Sequence, residues 1–106
     1  FFFFQEEAGI RFGSVTGFKT WALPIAPPDT GIPIAANKVK GIRCALCSDS
    51  LSAEMTRRHN DANIIAMGAG IVGPNLARRM VEVFLNTEFE GGRHARRVAL
   101  LDSIQP

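Results

Sequence analysis

No apolar run in these 106 residues approaches the roughly 20 that a bilayer-spanning helix needs, so no membrane partner is expected. Charge of one sign is scarce as well. Twelve Lys and Arg stand against 10 Asp and Glu, which leaves +2 and a pI near 8.9. That balance is too mild to imply nucleic acid, although Arg57-Arg58, Arg78-Arg79 and Arg96-Arg97 make local basic pairs. There is no P-loop and no G-x-G-x-x-G fingerprint. No metal constellation is evident, because His59 and His94 lack matched carboxylate or thiol spacing, and nothing recommends Ser-His-Asp hydrolysis. Cysteine is limited to Cys44 and Cys47. The pair fits C-x-x-C, but a redox pair sits at a helix start, where the dipole lowers the thiol pKa. Here the surrounding 41–47 reads as a strand, on which residues three apart face opposite sides. A structural thiol pair in a reducing cytoplasm is the expectation.

What is present describes a globular chain: 46% apolar and 21% charged residues, long enough for one domain. A domain of this size buries about 60–65% of its unfolded surface, which leaves little stability to spare. Residues 1–29 look unlike the rest. The chain opens Phe1-Phe2-Phe3-Phe4, with no basic region ahead of the run, and Gly13, Gly17, Pro24, Pro27 and Pro28 interrupt every candidate period. One short strand at 21–26 is the most that the pattern predicts there. From Asp29 the pattern becomes regular. Asp29-Thr30-Gly31 feeds a short helix with Pro33 in its first turn. A strand is predicted at 41–47, then N-cap chemistry from Ser48-Asp49-Ser50 for a helix over 51–59. A second apolar strand covers 64–69. A helix over 74–87 carries Leu76, Met80, Val83, Phe84 and Thr87 as one stripe. Gly91-Gly92 breaks the chain before a last helix over 93–104, with Val98 and Leu101 inward. Strands alternating with helices imply βαβ units and a parallel sheet, here thin and resembling the C-terminal half of a doubly wound domain.

Two groups of residues could carry chemistry. Thr56-Arg57-Arg58-His59-Asn60-Asp61-Ala62-Asn63 lies at a helix–strand junction, where α/β proteins aim side chains into a crevice. Adjacent His59 and Asn60 can offer an imidazole and an amide to one small ligand. An Asn at a helix end also serves as a left-handed cap, and a His in the last turn suits the helix dipole. Arg93 and Arg97, four apart, share a face of the last helix, and two guanidinium forks on one face suit a phosphate or carboxylate. A solvated basic face has the same spacing. His94 and Arg96 point elsewhere. Gly31 precedes a helix start, where a backbone amide could meet an anion.

The order of these segments goes further. Ile34-Ala-Ala-Asn-Lys38, Gly41-Ile-Arg43, Ser52-Ala53, Arg58-His-Asn-Asp-Ala-Asn63, Gly73-Pro74 and Glu88-Phe-Glu-Gly-Gly-Arg-His-Ala-Arg-Arg97 closely resemble type B ribose-5-phosphate isomerase. That family includes the galactose-6-phosphate isomerase subunits. The resemblance runs from Thr30 to about Ile104 and divides the chain into 1–29, without a match, and 30–106. It implies a Rossmann-like three-layer α/β/α fold and a cytoplasmic homodimer whose active sites draw on both protomers. The implied reaction interconverts aldose and ketose phosphates through an enediolate, without metal or organic cofactor. Position by position, His59 resembles the proton donor that opens the sugar ring and Asn60 a residue that hydrogen-bonds the substrate. Arg93 and Arg97 resemble the phosphate ligands, and Gly31 the last glycine of the loop whose N–H groups stabilise the enediolate oxygens.

The sequence departs from that pattern in one region. Ala26-Pro27-Pro28-Asp29-Thr30 aligns with the family's catalytic loop, so Ala26 stands at the Cys position and two prolines remove amide donors. Asp29 is the only nearby carboxylate. Neither Cys44 nor Cys47 aligns with the catalytic thiol, and the family's first strand, with its Asp-His pair, has no counterpart in residues 1–25. A truncated or fused isomerase is therefore expected, one that binds phosphate esters and lacks the family's base. A non-catalytic association module is the rival reading, because a half-sheet leaves a strand edge and apolar surface to be covered.

Overall fold

The computed structural model describes residues 2–6, 9–13, 19–25, 31–68 and 70–104. Its elements in chain order are β1 (Phe2–Glu6), β2 (Gly9–Gly13), β3 (Lys19–Ile25), α1 (Gly31–Ala36), β4 (Cys44–Leu46), α2 (Ser50–Asn60), β5 (Ile64–Gly68), α3 (Pro74–Asn86) and α4 (Arg93–Ile104). The run Ile-Ile-Ala-Met-Gly of β5 does not alternate, and every position of it is buried, as expected for a central strand covered on both faces. β5 pairs in parallel with β3 on one side, Trp21 opposite Ile64, and with β4 on the other, Cys44 opposite Ile64. β2 joins β3 antiparallel and β1 joins β2 antiparallel, giving the order β1-β2-β3-β5-β4.

The α/β class is as the sequence implies, but two strand expectations need correction. Residues 1–29 hold three strands instead of one doubtful one, so the sheet is five-stranded and mixed, not thin and parallel. The β1–β2 pairing is carried by the backbone, and the run Phe-Phe-Phe-Gln-Glu of β1 has no apolar–polar alternation to mark it. The strand predicted over 41–47 shrinks to Cys44–Leu46. Gly41 takes a left-handed φ of 86°, which ends any extended run there. Side-chain amides then replace the sheet ladder. Asn37 Oδ1 accepts from the Cys44 N–H at 2.8 Å and its Nδ2 donates to the Cys44 carbonyl at 2.9 Å, while Asn63 Oδ1 accepts from the Arg43 N–H at 2.9 Å.

The helices follow their local signals closely. Asp49 caps α2, its Oδ1 accepting from the Ser52 N–H at 2.7 Å. At the other end the left-handed cap is Asp61, with φ 48°, and Asn60 is the last helical residue. Pro74 opens α3, where its missing N–H costs no hydrogen bond. Met80 and Phe84 of α3 meet Ala53 of α2 and Ile65 and Met67 of β5 in the core. α4 lies against α2 with His94 and Val98 buried. Leu101, expected inward, is 47% exposed, because the buried stripe of α4 ends at Val98. Among the described residues, no helix is long and apolar enough to cross a membrane.

Candidate active site

The site grows from the C-terminal turn of α2. Asp61 turns the chain out of the helix, and the Arg58 carbonyl, one of those left without a helical partner, accepts the Glu90 N–H at 3.1 Å. That bond pins the α3–α4 connector beneath α2. Gly91 and Gly92 then take φ of 69° and 57°, a conformation that L side chains adopt only with strain, and reverse the chain into α4. The His94 N–H returns to the Gly91 carbonyl at 3.0 Å and the Ala95 N–H to that of Gly92 at 3.1 Å.

This turn places His94 on His59. The two imidazoles stack with centroids 4.2 Å apart and planes 12° from parallel. Glu90 lies at their edges, its Oε1 3.9 Å from His59 Nε2 and 3.4 Å from His94 Nε2, and its Oε2 is 3.7 Å from Arg58 Nη1. His94 is 5% exposed, and its Nδ1 is buried without a hydrogen-bond partner among the described residues. The His94 pKa is lowered from the ordinary imidazole value. Burial is the largest cause, followed by the neighbouring charges of His59 and Arg93; Glu90 opposes the shift and Arg97 adds to it.

His59, Glu90 and His94 thus supply three ligand atoms within 4.8 Å of one another, a cluster that sequence spacing did not show. The donor types would suit zinc, yet the arrangement does not. A metal binds imidazole in the ring plane at about 2.0–2.1 Å. With the rings stacked, an ion in one plane lies well out of the other.

Arg93 and Arg97 are exposed on α4, about 6 Å apart along its axis. Among the described residues neither has an ion-pair partner, so both guanidinium groups remain available to an anion. Arg93 directly precedes His94, so the candidate anion grip and the ring stacked on His59 share the first turns of one helix.

A model of the family described as ribose/galactose isomerase matches residues 23–101. The chain belongs to that family. It is 47% identical over 101 residues to ribose-5-phosphate isomerase B of Escherichia coli, covering 95% of this chain and 65% of that protein. Against the galactose-6-phosphate isomerase subunit LacA of Staphylococcus epidermidis it is 48% identical over 71 residues, 67% of this chain and 50% of the other. A solved ribose-5-phosphate isomerase B from Thermotoga maritima superposes with a TM-score of 0.74 at 41% identity, covering 78% of this chain and 57% of that one. A Clostridium thermocellum ribose-5-phosphate isomerase B gives 0.68 at 55% identity, covering 70% and 50%. The Rossmann-like α/β class is therefore shown, and the chain spans about half to two-thirds of the length of these relatives.

Within this isomerase-family chain the expected site residues fall into separate surroundings. Asn60 does not face the same space as His59. It lines a cavity of about 330 Å³ with Asn37, Arg43, Cys44 and Leu101, whereas His59 meets Glu90 and His94. Neighbours in a helix point about 100° apart, so the two side chains leave α2 in different directions. Gly31 is the exposed first residue of α1; Ala26 and Asp29 lie outside the described residues. Glu90 and His94 were missed as partners of His59, because the stack is tertiary. Their own spacing, four apart across two glycines, was the available signal. Arg57 was also passed over. Its Nη1 donates to the Ala62 carbonyl at 2.6 Å and its Nε to that of Thr87 at 3.3 Å, and its guanidinium lies 5.3 Å from the Phe84 ring centroid.

Proposed function

We propose that the chain binds a sugar phosphate and supplies the acid and the phosphate grip for aldose–ketose isomerisation of the ribose 5-phosphate to ribulose 5-phosphate type. Arg93 and Arg97 hold the phosphate, and His59 donates the proton that opens the sugar ring. Gly31 and Asn60 complete the substrate contacts, in a homodimer whose active sites draw on both protomers. The observation that carries this reading is the placing of His59 against the first turn of α4, beside two guanidinium groups with no partner among the described residues. Phosphate recognition by paired guanidinium forks and proton delivery by an imidazole are the chemistries those groups perform best. Proton abstraction to form the enediolate needs a base as well. Ala26 aligns with the family's thiol, and a missing positioned base lowers the rate by about 10²–10⁴-fold. Binding is therefore the first activity to measure. Ribose 5-phosphate should bind the 106-residue chain, and the double variant Arg93→Ala/Arg97→Ala should not bind it; equal affinity would refute the clamp. Ketose formation that disappears in His59→Ala would assign the acid.

A second reading, a non-catalytic association module, is favoured by one observation. Leu100, Leu101 and Ile104 are 66%, 47% and 77% exposed along the end of α4, an apolar strip that a partner surface would cover. Native mass measurement with and without ribose 5-phosphate separates the readings, since an assembly that binds no sugar phosphate would refute the first and one that binds it would rule out the module.

A further inference from the structure

We propose that His94 is a positioning residue for His59: its buried ring is the platform against which the His59 imidazole is held, with Glu90 lying at both Nε2 edges. This rests on the reading of His59 as the ring-opening acid. His94 is 5% exposed and its Nδ1 has no partner among the described residues. A buried polar atom without a hydrogen bond costs stability, and a phenylalanine or leucine would fill the same space without that cost. Space-filling therefore does not explain an imidazole here. What the ring does touch is His59, face to face at 4.2 Å, and Glu90 at 3.4 Å.

The two partners differ in freedom. His94 is held by the left-handed turn at Gly91 and Gly92 and by the Glu90–Arg58 backbone bond, whereas the His59 side chain is 40% exposed on the last turn of α2. An acid must present its N–H along one direction to the ring oxygen of the sugar, and displacement by about 1 Å can cost a hundredfold. Stacking on a rigid neighbour removes that freedom. The groups facing His94 are His59 from α2, Glu90 from the connector, and Arg93 and Arg97 from its own helix. Burial, with the positive charges of Arg93 and Arg97, favours the neutral form of the His94 ring against the pull of Glu90.

The step served is ring opening. The ring oxygen takes a proton from His59 and the C1–O bond breaks, its electron pair staying on that oxygen. The C1 hydroxyl loses its proton to water and becomes the aldehyde carbonyl, and solvent returns a proton to His59. Reversal closes either anomer, so the step is read directly as exchange between the anomers of ribose 5-phosphate by saturation-transfer NMR, without any base for enolisation.

The experiment compares the wild-type chain, His59→Ala, His94→Ala, His94→Phe and His94→Gln. Each is first checked for a cooperative thermal transition, and ring order at position 59 is followed by carbon-13 relaxation. Aromatic stacking is worth roughly a three- to tenfold effect. His94→Ala should lower the saturated exchange rate by about that factor, leave the half-saturating concentration unchanged, and loosen the His59 ring. His94→Phe, which keeps a stacking face, should restore both readouts, and His94→Gln should not. If His94→Ala does not fold, the Phe and Gln variants carry the same contrast. Exchange in His94→Ala equal to wild type, or His94→Phe as slow as His94→Gln, overturns the positioning role. Wild-type exchange no faster than that of His59→Ala overturns the acid reading itself.

Discussion

Replacing Arg57 by Ala should destabilise the fold by about 3 kcal/mol, and the estimate can be built contact by contact. The side chain is 19% exposed and spans three segments. Its hydrogen bond to the Ala62 carbonyl is short, 2.6 Å, and that to Thr87 is longer, 3.3 Å. Hydrogen bonds from a charged donor are worth about 1.5–3 kcal/mol each, and the lower end suits the longer bond. The ion pair with Asp61 at 3.6 Å adds little, since that carboxylate is 38% exposed. The Phe84 face contributes about 0.5–1 kcal/mol. Some of the sum returns when water reaches the freed carbonyls, which leaves about 3 kcal/mol. With an unfolding entropy of about 2.1 cal/mol/K per residue over 106 residues, the melting temperature should fall by about 10–15 °C. Urea unfolding should show the same loss at the midpoint with an unchanged slope. Arg57→Lys should recover less than half, because an ammonium cannot reach both carbonyls. A shift below about 4 °C for the alanine variant would mean that water replaces both bonds, and would refute Arg57 as the tie between α2, β5 and the α3–α4 connector.

Other outcomes follow from the same contacts. Burial raises the Cys44 thiol to about 11, and burial with the charges of Asp49 and Cys44 raises Cys47 to about 11. Alkylation at pH 8 should therefore run at least about tenfold slower in the folded chain than in urea, followed by mass spectrometry. The lowered His94 pKa makes stability depend on acidity. The unfolded imidazole takes up its proton near the ordinary value of about 6.5 while the folded ring resists, so stability should be complete above that value and fall as pH drops below it. His94→Phe should flatten that slope by up to one proton, measured by urea unfolding across the range. Gly91→Ala and Gly92→Ala should each lose about 1–2 kcal/mol from the left-handed backbone alone, since no neighbour crowds the added methyl group. Parallel loss of His59–His94 proximity should appear in their nuclear Overhauser contacts.

The parts of the fold written in local chemistry were legible. Asp49 as a cap, Pro74 as a first helical residue, the Met80 and Phe84 stripe and the start of α4 at Arg93 all depend on neighbours within a turn or two. The hairpin of β1 and β2 was not, because its pairing links backbones whose sequence breaks every simple period. The short β4 was over-read for a related reason. Gly41 and the clamping amides of Asn37 and Asn63 end the strand, and an amide's distant partner leaves no mark in a linear pattern. At the site, the shared face of Arg93 and Arg97 follows from spacing. The His59–Glu90–His94 contact needs α2 and α4 to be brought together first.

The attachment of α4 has a consequence for how the chain responds to heat. Its inner face buries only His94 and Val98, and its ends are tied by the Glu90–Arg58 backbone bond and by Arg43 to Asp102 at 3.1 Å. The core around Ile65, Met80 and Phe84 closes without it. So attached, α4 stays docked at ordinary temperature and is the first element to open as the chain is warmed. Because α4 carries both guanidinium groups and the ring beneath His59, a single fraying event would remove anion capture and imidazole alignment together while the sheet stays intact. Loss of binding on warming would then mark the undocking of one helix, some degrees before the protein melts.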